Sequence, residues 1–318
     1  MTKSIRFGKT LTKMQNLKQS LALLALLSLL LPGCKTQVPY SSKAYVEPYL
    51  RDSIPYTLAQ HEVKSDRLLL FIPPVLDEVK FEDTKLYQKL FNSGYDILCV
   101  YKAPAKGAYY YSRKAMDFKN QNVQNIQNLI EHLRKEKILK KSAKTHILAI
   151  EQGVYIAPAL ANTYQADTLF LINGNPFSTY LGFQRIAEGK IPFAEVQQDF
   201  IKEQFNIDSL SVFQEKVAEV EQTTSDHYSL GEYTNMYWLS YHANYYLEEY
   251  ASFQGHSCWI YFENYPLYKE SDYQYQKLLD QTRLNSSGKH LKASGLGRFK
   301  SEEDWEKIEE LLEPYFKD

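Results

Sequence analysis

The stretch that decides the fold is His146-Ile147-Leu148-Ala149-Ile150-Glu151-Gln152-Gly153-Val154-Tyr155-Ile156-Ala157. An apolar run enters a small-X-Glu-X-Gly turn, and a helical pattern leaves it. This is the pattern of a sharp strand-to-helix elbow that lifts one side chain above a sheet. Such a turn is crowded, so the residues two before and two after the lifted one must be small. Ala149 and Gly153 meet that demand, and the lifted side chain is then Glu151.

Outward from the elbow, short apolar runs alternate with helical periodicity, the pattern of an α/β fold with a largely parallel sheet. Leu68 to Ile72, Tyr95 to Tyr101, His146 to Ile150, Thr168 to Ile172, Cys258 to Phe262 and Lys289 to Ala293 are expected strands. Between them, Asp83 to Ser93 reads as a helix stopped by Gly94, and Val123, Ile126, Leu129, Ile130 and Leu133 mark another. A further helix is expected near Asp272 to Arg283. From about Phe183 to Phe253 the pattern turns helical (Ala194 to Phe205, Ser209 to Gln222, Tyr233 to Tyr250), which reads as a helical lid insertion. The chain closes on a helix whose Ser301 and Asp304 have capping-box spacing.

The first 33 residues read as a signal. Lys3, Arg6, Lys9, Lys13 and Lys18 form a basic leader, and Leu21 to Leu31 an apolar run. That run is too short for the ~20 residues of a membrane span. Leu31-Pro32-Gly33-Cys34 resembles a bacterial lipobox, which implies a lipidated Cys34, removal of residues 1–33, and a tether over 34–54. Lys35 is not an inner-membrane retention Asp, so the resemblance to lipoproteins of double-membraned bacteria leans towards the outer membrane of the cell envelope. The body is then residues 55–318. Formal net charge is −1 over 318 residues. Mild acidity gives no footprint for nucleic acid. Cys99 and Cys258 fall inside expected strands and read as small core residues, not as a disulfide or metal pair. No paired His at helical spacing and no glycine-rich phosphate loop appear, so no metal or nucleotide cofactor is expected. Of the 26 tyrosines, Tyr109-Tyr110-Tyr111 form a run; packing against a surface is the commoner use of such clusters, and sugar or lipid binding the alternative.

The order of strands, elbow, lid and closing helix resembles an α/β hydrolase over residues 55–318. That resemblance implies a central sheet with helices on both faces, an oxyanion hole after Phe71, a nucleophile at Glu151, an acid after Phe262, and a histidine within Gly295-Leu296-Gly297-Arg298-Phe299. This chain departs from the pattern at three of these positions, and the acid position stays open. Glu151 stands where Ser, Cys or Asp would act as nucleophile. Arg298 stands where a histidine would move protons, and a guanidinium is no base near neutral pH. Pro74 has no N–H to donate at the oxyanion position, although Gln152 retains one. Glu263 is the available acid. His256 and His290 are the nearest imidazoles in sequence to the carboxyl end of the sheet, and read as surface or strand-edge residues.

Since the elbow residue and the histidine touch in the family, the resemblance implies that Glu151 and Arg298 face one another as a bidentate ion pair. The alternatives are a solvated carboxylate and a surface cation. The function expected is a lipid-anchored protein without Ser–His hydrolysis that binds a small apolar ligand or an envelope protein. Two other readings stay open: an esterase or amidase with a non-standard catalytic set, and an envelope interaction protein using the tyrosine-rich lid.

Overall fold

A computed structural model describes residues 38–46, 53–74, 80–101, 118–174, 178–223, 227–231, 233–243, 247–272 and 288–316. Cys34, the basic leader and the Tyr109-Tyr110-Tyr111 run lie outside these residues, as does the expected helix at 272–283 beyond Asp272.

Among the described residues, eight strands form one sheet: β1 (Ser41–Val46), β2 (Ser53–Ala59), β3 (Arg67–Ile72), β4 (Tyr95–Val100), β5 (Lys144–Ile150), β6 (Thr168–Ile172), β7 (His256–Phe262) and β8 (Gly288–Ala293). Their order is β1-β2-β4-β3-β5-β6-β7-β8. β1 pairs antiparallel with β2, and β2 with β4. Every other pairing is parallel. The parallel part is explained by composition, because Leu68 to Ile72, Ile147 to Ile150 and Leu169 to Ile172 are continuous apolar runs with both faces covered.

The first two strands depart from the sequence reading, which put a tether over 34–54. β1 is Ser-Ser-Lys-Ala-Tyr-Val, with no fully buried residue. An edge strand of this kind is fixed by its ladder to β2 and lacks the apolar signature of a buried one. β2 alternates Ile54, Tyr56 and Leu58 inward but carries Pro55, a residue that weakens a strand signal.

Helices cover both faces of the sheet. On one side lie α1 (Lys85–Asn92) and, closing the chain, α9 (Glu302–Leu312). Phe71 and Phe170 flank Leu148 in register. They meet Trp305 of α9 (ring centroids 6.1 Å) and the following Tyr315 (5.6 Å). On the other side α2 (Phe118–Lys135) and α3 (Ala157–Tyr164) pack together. α1 is capped by Thr84, whose hydroxyl accepts from Tyr87 N at 3.1 Å, and Gly94 beyond it sits at φ +91°. The expected capping box at α9 is absent in that form. Ser301 makes no side-chain cap bond, and Asp304 accepts from Phe299 N at 3.0 Å. The carboxylate thereby fastens the incoming loop while still lying in the helix's first turn, where negative charge is favoured.

Between β6 and β7 the chain inserts α4 (Thr179–Ala187), α5 (Glu195–Phe205), α6 (Leu210–Gln222), α7 (Asn235–Ala243) and α8 (Leu247–Ser252). The expected lid is thus present and begins a few residues early. Its interior is aromatic: Phe183 meets Phe205, Phe213 and Trp238, the last at 5.4 Å, and Phe205 also meets Trp238. The Tyr180 hydroxyl inside it donates to the Val217 carbonyl at 2.9 Å, as a buried phenol requires. Cys99 and Cys258 are both buried and unbridged, and burial pushes the Cys258 thiol up to about 11.

Candidate functional site

The elbow leaves β5 between the carboxyl ends of β3 and β6, and Asn173 after β6 joins the end of β7 to the loop before α9. The chain leaves Ile150 in extended conformation, and Glu151 takes φ +51°, a left-handed angle that costs an L-residue ~1–2 kcal/mol. Residues Glu151–Tyr155 form a 3-10 turn, after which α3 begins at Ala157. The expected smallness of the neighbours has a clear cause. A Cβ on Gly153 would lie 2.6 Å from the Ile72 carbonyl oxygen, so β3 and the elbow could not close up with any other residue there. Strain and close approach therefore place one side chain at the top of the sheet, and that side chain is a carboxylate.

Glu151 is only 5% exposed. Beside it, Tyr155 and Tyr268 share a hydrogen bond between their hydroxyls at 3.0 Å. Burial raises the Tyr268 phenol first; the bond to Tyr155 opposes this, and the nearby Glu151 carboxylate adds to the rise. Gln152 is buried, and its Oε1 accepts from the Tyr237 hydroxyl of α7 at 2.8 Å, which ties the elbow to the lid. As an early residue of a helical turn, Gln152 keeps a backbone N–H with no acceptor inside that turn. Pro74 is buried at the end of the segment leaving β3, and residues 75–79 lie outside the described ones.

Glu263 follows β7 directly, but its carboxylate turns to Lys292 of β8 at 3.2 Å and is 43% exposed. It serves an edge ion pair there. Arg298 brings a second departure from expectation. Its side chain is 10% exposed, and Nη1 donates to Oε2 of Glu203 on α5 at 2.5 Å. The guanidinium also lies over the Phe200 ring, 4.8 Å from its centroid. The ion pair expected with Glu151 is thus observed with a lid residue. Phe200 and Glu203, three apart on one helix face, present an aromatic surface and a carboxylate to the same guanidinium. Sequence reasoning has no access to that meeting, because it depends on how the lid docks.

Asn173 is the residue that sequence reasoning missed most plainly. It follows β6, sits at φ +52° and is fully buried. Its Oδ1 accepts from Phe262 N at 3.1 Å, and its Nδ2 donates to the Gly297 carbonyl at 2.9 Å. One side chain thus fixes the end of β7 to the loop that carries Arg298. The available signal was Asn-Gly directly after an apolar run, since Asn tolerates the left-handed region better than most residues.

Four of the histidines are placed elsewhere. His256 opens β7, at the end of the sheet opposite Glu151, and His290 on β8 stacks on Trp259 at 5.9 Å. His61 contacts Asp96 Oδ1 near the start of β4 at 3.1 Å, and His132 packs on Tyr45 of β1. Among the described residues, no three His, Cys, Asp or Glu side chains are grouped as a metal site.

The strand order and the elbow can now be set beside known proteins. No protein-family model matches the chain, and no curated protein matches it. Solved structures do. A carboxylesterase of the thaumarchaeon Nitrososphaera gargenis superposes with a TM-score of 0.54 at 14% identity, over 87% of this chain and 100% of that one. The thioesterase domain from the curacin biosynthetic pathway gives 0.51 at 13% identity, over 86% and 99%. A probable hydrolytic enzyme of Pseudomonas aeruginosa gives 0.51 at 13%, over 89% and 95%. The fold is that of an α/β hydrolase. At such identities the likeness concerns the α/β-hydrolase scaffold alone, and chemistry has to be argued from the site.

Proposed function

We propose that this chain is a lipid-anchored protein of the bacterial envelope that keeps the α/β-hydrolase scaffold without its Ser–His chemistry and binds a small ligand or a protein between elbow and lid. The observation that carries the reading is the pairing of a strained, buried elbow with the wrong chemistry. Acyl transfer needs a nucleophile at the lifted position and a base that takes and returns its proton. The lifted side chain is Glu151, and the cation at the base position, Arg298, is held by Glu203. A guanidinium with pKa above ~12 returns no proton near neutral pH. Incubation with a fluorophosphonate probe followed by intact mass tests the absence of an activated serine. The reading expects unmodified protein; stoichiometric addition to one residue would overturn it.

Anchoring is proposed from Leu31-Pro32-Gly33-Cys34. Acyl chains on the Cys34 thiol and terminus would contribute ~0.8 kcal/mol per buried CH₂, enough for a firm hold on a membrane, the outer one by the Lys35 criterion. Labelled palmitate incorporated into the native chain but not into Cys34→Ser would support this. Equal labelling of both would sink it.

A second reading has its own observation. The Tyr155–Tyr268 hydroxyl pair beside Glu151 sets a phenolic donor next to a buried carboxylate. That set would suit an ester or amide hydrolase in which Glu151 positions water.

A further inference from the structure

The amino end of the sheet, opposite Glu151, is basic in a chain that is slightly acidic as a whole. Residues 60–67 lead from β2 into β3, and residues 134–144 lead from the end of α2 into β5. The two segments are fastened to each other. Gln60 Nε2 donates to the Ile138 carbonyl at 2.6 Å, and Lys144 N to the Asp66 carbonyl at 2.8 Å. Together they hold eight Lys and Arg residues against three acids, Glu62, Asp66 and Glu136, while the whole chain has a net charge of −1. Part of this charge has a local explanation. Arg134 and Lys135 lie in the last turn of α2, where a cation is favoured, Arg67 lies over the Tyr95 ring, and Lys140 pairs with Asp66. Lys64, Lys137, Lys141 and Lys144 have no such explanation. All four are exposed and, among the described residues, make no ion pair. Beside Lys64 stands Val63, 85% exposed, the most exposed large hydrophobic side chain among the described residues.

We infer that this end of the body docks on the anionic headgroups of a phospholipid bilayer, with the four lysines against the phosphates and Val63 entering the interface. Charge complementarity argues for an anionic partner, and an apolar tip among lysines argues for a lipid surface over a water-soluble polyanion. Chain direction agrees. β1 is antiparallel to β2, and β2 to β4, so β1 runs with the parallel strands and is entered from the amino end of the sheet. Val38, three residues before β1, is already buried, and Cys34 stands four residues before Val38. Four residues span at most ~14 Å. The inference deepens the anchoring reading and rests on it for the choice of partner. Acyl chains on Cys34 would hold the body against the bilayer by the end that carries the lysines. Lys144 opens β5 and Glu151 follows its last residue, about 20 Å along the strand, so the elbow would face away from the lipid.

The test is a fluorescence titration of the full-length chain with vesicles. Cys34→Ser removes the acylation site, and Cys99 and Cys258 are buried, so Val63→Cys takes an environment-sensitive label at one accessible thiol. Val212→Cys on α6, where the native residue is 43% exposed, carries the same label as the reference position. The basic leader is common to every variant and cancels in the comparison. Vesicles of phosphatidylglycerol and phosphatidylcholine in equal parts should shift the label at 63 to the blue and leave the label at 212 unchanged. Phosphatidylcholine alone should shift neither. The triple substitution Lys137→Gln, Lys141→Gln and Lys144→Gln should raise the lipid concentration at half-shift about a hundredfold. Lys190→Gln with Lys202→Gln, at two exposed positions of the lid, should leave it unchanged. No shift at 63, an equal shift at 212, an equal response to phosphatidylcholine alone, or equal effects of the two sets of lysine substitutions would each overturn the inference. Palmitate absent from the native chain with the shift at 63 intact would defeat the anchor alone. Palmitate present on Cys34 with no shift at 63 would defeat this docking face alone.

Discussion

Arg298, on the loop before α9, donates to Glu203 of the lid at 2.5 Å. This relationship gives a double-mutant test. Glu203→Gln and Arg298→Met should couple by about 0.5–1 kcal/mol, the scale of a half-exposed ion pair. Glu151→Gln and Arg298→Met should instead be additive within about 0.5 kcal/mol. Thermal melts of the singles and doubles decide. Strong coupling between Glu151 and Arg298 would restore the pairing expected from sequence.

Asn173 is expected to carry more stability than any charged residue at the site. Asn173→Ala removes a bond to Phe262 N and one to the Gly297 carbonyl, leaving a buried N–H and a buried C=O without their partner. Each such loss costs ~1–3 kcal/mol. The substitution also places an ordinary residue at φ +52°. Chemical denaturation should show a loss of about 3 kcal/mol or more. A change below 1 kcal/mol would mean that the two strand ends are held by other contacts.

Gly153→Ala and Gly189→Ala separate close packing from backbone strain. The first forces a Cβ to 2.6 Å from Ile72 O; the second meets nothing within 4 Å but adopts φ +73°. Gly189→Ala should cost ~1 kcal/mol from strain alone. Gly153→Ala should cost ~2 kcal/mol or more because β3 must move away from the elbow. Equal melting temperatures for the two variants would contradict the account of the elbow as a close-packed turn.

His146 on β5 gives a pH dependence. Burial lowers its pKa to about 4 from the ordinary 6.5, with a smaller opposing contribution from Asp167. The unfolded chain therefore binds a proton that the folded chain refuses. The stabilising contribution is complete above pH 6.5 and is lost as pH falls towards 4, with a slope of up to ~1.4 kcal/mol per pH unit. Urea denaturation between those pH values should show the decline, and His146→Gln should flatten it. An unchanged slope in that variant would assign the acid sensitivity to other groups.

How much of this was legible in the sequence follows from where the information lies. The five parallel strands from Leu68 to Phe262 and the elbow at Glu151 were readable because local apolar runs and the spacing of Ala149 and Gly153 encode them directly. β1 was not, since Ser41 to Val46 is polar and held by its neighbour rather than by burial. Glu151, Glu263 and Arg298 could be singled out in the sequence, but their partners could not. Glu203 lies 95 residues before Arg298 in the chain, and Asn173 lies 124 before Gly297. Meetings at that separation depend on the docking of a whole insertion and carry no periodic signature.

The most direct measurement is the rate of p-nitrophenyl butyrate hydrolysis by the purified chain beside Glu151→Gln. With a carboxylate lifted by the elbow and a guanidinium beyond it, both proteins should leave the ester at its uncatalysed rate in buffer. Saturable turnover by the native chain that disappears in Glu151→Gln would show that the elbow still performs chemistry, and the account of a scaffold without its reaction would be wrong.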